Sequence, residues 1–202
     1  RADAHSEAYE AASQANSIIS NITGPVHAHA FEAMQSMIAV LLTVGNTEQA
    51  IAHIQRNLAT AVQLQGFDCQ DCLVLHTRLA GLHADLGHFA TALNHHRVVR
   101  YLVAIMGGES HPELANVYAR MGQIYDVTGD SATAYACYLA ARNRTQDLQQ
   151  IIALLVPMAK CCFDLDRVQE ACELQNRAYT MMKELLGGEE DHPELKGLKD
   201  VL

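Results

Sequence analysis

The chain has 202 residues, half of them hydrophobic, with 5% aromatics, no Trp and 4 Pro, so it can bury a sizeable core. Its net charge of −9, from 14 Lys plus Arg against 23 Asp plus Glu, excludes the basic stripe on which strong direct nucleic-acid binding rests. No run of about 18 apolar residues is present, so no membrane insertion is expected; abundant Ala, Leu, Met and Gln favour helices throughout.

Apolar residues recur at helical spacing along the chain, and the pattern predicts helices over 4–22, 27–44, 47–65, 70–86, 89–106, 112–128, 131–147, 149–164, 167–186 and 193–201. The first, within RADAHSEAYEAASQANSI, has neither the pattern of a signal peptide nor that of a transit peptide. In the second, Met34, Met37, Ile38 and Leu41 share a face, and Tyr118, Met121, Gly122 and Tyr125 form the matching face 84 residues later. The helix over 112–128 is entered through Gly107-Gly108-Glu109-Ser110-His111-Pro112-Glu113. Pro in the first turn lacks only a donor that had no helical partner, and Glu113 suits the positive end of the helix dipole. The stretch IIALLVPMAKCCF is apolar but carries Pro157 and Lys160, and reads as a buried helix.

A repeat runs through these helices. Gly45, Gly87 and Gly129 lie 42 residues apart, as do Gly24, Gly66 and Gly108, and as do Ala50, Ala92 and Ala134, with Ala8 one period earlier. Each turn glycine is expected to close a first helix in the left-handed conformation. Each alanine falls early in a second helix, where a small side chain lets two helices approach. The unit is a helix pair, and the fold class is an all-α, right-handed superhelical solenoid of tetratricopeptide-type helix pairs. One array over 1–202 is expected: a half repeat over 1–23, repeats over about 24–65, 66–107, 108–148 and 149–187, and the start of another over 188–202. Both ends cut through repeats, as in a fragment of a larger protein. Between Ala134 and Ala171 the period drops to 37 residues, with Gln150 where a linking glycine is due and Asp166 at the turn position. The shortening is expected in the link between repeats.

The motifs resemble two families with 42-residue tetratricopeptide units. The segment RVVRYLVAIMGGESHPELANVYARMGQIY and the opening NITGPVHAHAFEAM resemble the clustered-mitochondria proteins, whose repeats join an Arg-Tyr-Leu run to Gly-x-x-His-Pro-Glu. Kinesin light chains are the second resemblance, but carry Leu-Asn-Asn-Leu-Ala where this chain has Tyr118-Ala119-Arg120-Met121-Gly122. The first resemblance implies a large cytosolic eukaryotic protein, acting near mitochondria in their distribution and in binding messenger RNAs for mitochondrial proteins. Fungal members of that family are linked to translation initiation factor three.

The first helix of each pair lines the concave face of such arrays. Counting back from the turn positions places Glu32, Gln35, Thr77, Arg78, Asn116, Arg120, Gln123, Asp126 and Lys160 there, a mixed polar set suited to a protein or peptide ligand or to simple solvation. No lysine-rich clamp for a carboxylate tail is present. Cys69-Gln70-Asp71-Cys72 reads as thiols at a helix start, with half a zinc or redox site as the competing reading. Cys161 and Cys162 diverge by about 100 degrees on a helix and suit no shared metal. His76, His83 and His96 are expected to meet inside the third pair as a core cluster, with metal binding or pH sensing as alternatives. His27, His111 and His192 recur at links and are expected to tie them to helix ends. No phosphate loop, nucleophile elbow or zinc-protease motif occurs, so no catalysis, cofactor or metal is expected. The function that follows is a protein-interaction scaffold. The alternatives are a kinesin-light-chain-like cargo adaptor, or part of an RNA-binding surface in which Arg97, Arg100, Arg142 and Arg144 supply a local basic patch.

Overall fold

The computed structural model describes residues 2–23 and 28–187, all of whose elements are α-helices. Gly24, His27, His192, the helix predicted over 193–201 and the repeat start over 188–202 lie outside the described residues. The chain forms two compact units, Arg1–Met106 and Gly107–Leu202. The first holds α1 (Ala2–Thr23), α2 (Ala28–Val44), α3 (Thr47–Gln65), α4 (Gln70–Asp85) and α5 (Phe89–Gly107). The second holds α6 (Glu113–Val127), α7 (Ser131–Arg142), α8 (Leu148–Asp164) and α9 (Val168–Leu185).

The tight turns within pairs are made the same way four times. Gly45, Gly87 and Gly129 have φ of 81, 74 and 82°, and at each one the next residue's N–H reaches back to the carbonyl five residues earlier, in the last turn of the helix. Asn46 N–H donates to the Leu41 carbonyl (2.9 Å), His88 to His83 (2.8 Å) and Asp130 to Tyr125 (2.9 Å). This bond satisfies a carbonyl the helix would leave orphaned. At the fourth turn Asp166 takes φ 58°, and Arg167 N–H donates to Cys162 in the same pattern (2.9 Å). Aspartate is among the few residues that tolerate this backbone, which is why the turn survives without glycine.

Two of the second helices, α3 and α7, start on side-chain caps. Asn46 Oδ1 accepts from Gln49 N–H (3.3 Å) and Asp130 Oδ1 from Thr133 N–H (3.1 Å), meeting donors that have no helical partner. Ala50, Ala92, Ala134 and Ala171 are each fully buried. Around them, Ile38, Ile54, Leu75, Leu79 and Leu102 are buried in the first unit, and Leu114, Tyr138, Leu155 and Met158 in the second. Burying one such side chain contributes about 1.5–3 kcal/mol. Helix α8, drawn from the apolar stretch noted above, buries Ile152, Leu154, Leu155, Met158, Ala159, Cys161 and Cys162.

The lost residues of the shortened period come from a helix, contrary to the expected short link. Helix α7 has 12 residues and ends at Arg142, where α3 and α5 have 19 each. The link 143–147 is as long as the link 108–112. Polar side chains stop α7. Arg144 Nη1 donates to the Ala140 carbonyl (3.0 Å), Asp147 N–H donates to Thr145 Oγ1 (3.2 Å), and Asp147 Oδ1 accepts from Gln149 N–H (3.0 Å) to start α8. Such bonds offer the backbone an alternative to continued helix. The result is a second helix about 10 Å shorter than its counterparts.

Candidate functional site

The first helices of the second unit, α6 and α8, carry two stripes of like composition. Asn116, Ala119 and Gln123 recur at the three- and four-residue spacing that keeps side chains on one face of α6, and Gln150, Ala153 and Pro157 do so on α8. Both stripes line one pocket of about 180 Å³. Ala115, Leu154 and Tyr138 complete its lining. The alanines leave the space, and the carboxamides offer both donors and acceptors beside it. Thr145 Oγ1 donates to Gln150 Oε1 (2.7 Å), which orients that carboxamide. Pro157 has no N–H, so the Ala153 carbonyl loses its helical donor within the stretch that lines the pocket.

Tyr138 reaches this position because Gly122 has no side chain. A Cβ there would lie 2.8 Å from Tyr138 Cε1. Tyr138 is 2% exposed, and burial, followed by the Asp126 charge, pushes its hydroxyl well above the usual range, so it stays neutral. The lining residues carry no formal charge. Beyond the pocket, Lys160 Nζ bonds both oxygens of Asp126 at 2.9 and 3.0 Å, joining α8 to α6. The bond to Asp126 raises the Lys160 pKa.

Of the nine polar positions assigned to the concave face, Asn116 and Gln123 line the pocket, and Asp126 and Lys160 pair with each other. In the first unit Arg78 Nη1 donates to Gln35 Oε1 (2.7 Å), linking α4 to α2. Thr77 Oγ1 donates to the Leu73 carbonyl of its own helix (2.8 Å). Glu32 and Arg120 are exposed on α2 and α6. Counting back from the turns does not reach Ala115, Tyr138, Gln150, Ala153, Leu154 or Pro157. Their signal was present: Asn116, Ala119 and Gln123 are followed 34 residues later by Gln150, Ala153 and Pro157. The turn markers Gly129 and Asp166 are offset by 37 and point to the wrong alignment.

In the first unit four imidazoles form a row. His76 Nδ1 lies 2.9 Å from His95 Nδ1, and His83 Nδ1 lies 3.4 Å from His88 Nδ1. The His83 and His95 rings stack, 5.6 Å between centroids and 5° between planes. His95 thus occupies the place expected for His96. Successive side chains on a helix diverge by about 100 degrees, so only one of the two faces α4; His96 instead goes into the core, 2% exposed. Burial lowers the pKa of His76. Burial, then the neighbouring His76, His83 and His96, lowers His95 to about 4. Among the described residues no group of three ligands is placed to hold a metal.

Other expected features resolve locally. His111 Nδ1 accepts from Glu113 N–H (3.2 Å) at the start of α6. Arg97 is bonded to Asn94 (2.8 Å), and Arg144 lies over the Tyr118 ring, 4.8 Å from its centroid. No described helix is long and apolar enough to cross a membrane.

No family model matches the chain. Over 124 residues it is 23% identical to a clustered mitochondria protein homolog of Aedes aegypti, and over 130 residues 26% identical to that of Caenorhabditis briggsae. These matches cover 61% and 58% of this chain. The chain is similar to clustered mitochondria proteins. It spans only 9% and 10% of the length of those two relatives. Among solved structures it resembles the nearly identical TPR-like repeats of a Podosopora anserina protein described as a kinesin light chain. That match has a TM-score of 0.73 at 15% identity, covering 90% of this chain and 88% of the other. BtubC (BKLC) of P. vanneervenii gives a TM-score of 0.71 at 16% identity over 82% of this chain and 66% of its own. The likeness places the fold in the all-α tetratricopeptide class.

Proposed function

We propose that this chain is a non-enzymatic protein-interaction scaffold in which the stripes of α6 and α8 hold an extended peptide. The observation that carries the reading is the uncharged pocket between two matched carboxamide-and-alanine stripes. Carboxamides can pair with the N–H and C=O groups of an extended backbone, while the alanines admit one uncharged side chain. Its lining holds no acid–base pair or nucleophile placed for proton or group transfer, which suits holding a ligand and not converting it. Within a clustered-mitochondria-like protein the scaffold would serve in the cytoplasm, near mitochondria, in their distribution and in the handling of messenger RNA for mitochondrial proteins. The sequence matches to clustered mitochondria proteins support that setting.

The test is an array of immobilised extended peptides probed with labelled chain, alongside Gln123→Ala and Ala119→Leu. A peptide subset should bind the wild type and lose about tenfold or more in affinity, or roughly 1.4 kcal/mol, when either change is made. Binding that ignores the filled pocket of Ala119→Leu would sink the reading. The likeness to kinesin light chain repeats favours a second reading, a cargo adaptor; upstream heptads in the longer protein would mark it. Direct RNA recognition by this segment predicts retention on filters near 50 mM salt that falls steeply as salt rises.

A further inference from the structure

The peptide groove does not use Cys69 and Cys72, and these two thiols are arranged unlike the others in the chain. Cys69 is the residue before the first turn of α4, in extended conformation (φ −102°, ψ 156°), and its Sγ accepts from the Cys72 N–H at 3.3 Å. The Cys72 Sγ itself donates to the Gly66 carbonyl at 3.7 Å. Both sulfurs therefore share one helical turn, where the Cα separation falls within the range a disulfide spans. Their exposure differs: 8% of Cys69 reaches solvent and none of Cys72. Cys161 and Cys162 are buried as well, in the core of the second unit, but as neighbours on one helix their side chains diverge by about 100 degrees.

We infer that Cys69 and Cys72 form a thiol–disulfide couple, with Cys69 the sulfur that meets a small disulfide oxidant and Cys72 the sulfur that resolves it. Cys69 is the entry point because it alone of the pair reaches solvent, while its Sγ is held at the start of α4 by the Cys72 N–H. With a low-molecular-weight disulfide such as oxidised glutathione, the Cys69 thiolate attacks one sulfur. The glutathione S–S bond breaks, a Cys69–glutathione mixed disulfide forms, and one glutathione thiolate leaves and takes up the proton Cys69 gave to solvent. Cys72 then loses its proton and attacks the Cys69 sulfur, forming the Cys69–Cys72 bond and expelling the second glutathione as thiolate, which that proton neutralises. Two protein thiols are oxidised and one glutathione disulfide is reduced to two thiols. Burial, then Cys69 itself, pushes the Cys72 thiol up to about 12, consistent with a resolving sulfur that stays protonated until the mixed disulfide forms. A zinc half-site is the other use of such a pair, but among the described residues no third ligand accompanies it.

The test is equilibration of the folded chain in glutathione redox buffers, trapping of free thiols with a maleimide, and mass mapping of the linkages. The wild type should lose two hydrogens and yield a 69–72 linkage while its helical circular dichroism is unchanged. Cys72→Ser should instead accumulate glutathione on Cys69, and Cys69→Ser should take up little glutathione on Cys72. A folded wild type that keeps both thiols in excess oxidised glutathione would overturn the inference, as would a 69–72 linkage that forms only in denaturant. Equal glutathione uptake by folded Cys69→Ser and Cys72→Ser would overturn the assignment of roles. The wild-type mapping decides the existence of the couple even where a variant does not fold.

Discussion

Gly122 is the position where a single methyl group tests the packing of the second unit. An added Cβ would stand 2.8, 2.9 and 3.1 Å from Tyr138 Cε1, Cδ1 and Cζ. Tyr138 is 2% exposed within a core that includes Ala134, Leu155 and Met158, so its ring has little room to withdraw. Overpacking of this kind costs about 1–3 kcal/mol, and the better helix propensity of Ala returns roughly 1 kcal/mol. Gly122→Ala should therefore lower stability by up to about 2 kcal/mol, a fall in Tm of up to roughly 8 °C. Urea denaturation followed by circular dichroism measures it, with Tyr138→Leu and the double variant completing a cycle. In the Tyr138→Leu background the clash is gone, and Gly122→Ala should cost nothing or stabilise by up to about 1 kcal/mol. Additive effects of the two substitutions would refute the account of α6 and α7.

The imidazole row makes stability depend on pH. His95 titrates near 4 in the folded chain, below its ordinary 6.5, because of burial and then its histidine neighbours, so the unfolded chain takes up the proton more readily. Its contribution is complete above pH 6.5 and is lost as pH falls from 6.5 toward 4. Linkage allows up to about 3 kcal/mol, which solvent screening of a half-buried ring reduces to roughly 1–2 kcal/mol. His95→Gln should flatten the Tm-against-pH curve over that window; an unchanged slope would show that His76 and His95 are not held neutral by folding. Asn46→Ala removes the cap of α3 and should cost about 1 kcal/mol in chemical denaturation, whereas a cost near zero would deny the cap a role. At Asp166, φ 58° suits Gly as well as Asp, so Asp166→Gly should stay within about 0.5 kcal/mol of wild type. Asp166→Val should lose about 1–2 kcal/mol in the same measurement, and equal effects of the two would exclude a left-handed turn there.

Much of the helix-pair architecture was legible in the sequence because its signals are local. A left-handed turn needs glycine or a tolerant residue at the turn itself, and Gly45, Gly87, Gly129 and Asp166 supply it from their own backbone preferences. The CxxC pair was also visible, since N-cap and first turn are neighbours along the chain. The candidate site was legible only in part: Asn116 and Gln123 could be counted back from Gly129, while the 34-residue match of Gln150, Ala153 and Pro157 to the α6 stripe was obscured by turn markers offset by 37.

Sequence alone thus determined that the chain is all-helical, where its paired helices turn, and that alanines recur early in each second helix. Tertiary structure decided that the shortened period is taken out of α7, because side chains of the 143–147 link bond backbone that would otherwise continue the helix. It decided that His95 and not His96 joins His76 and His83, since only one of two adjacent side chains can face α4. And it decided that α6 meets α8 at an offset of 34 residues, seen in the Asp126–Lys160 pair, because lateral register is set by packing between helices and leaves no mark on either helix by itself.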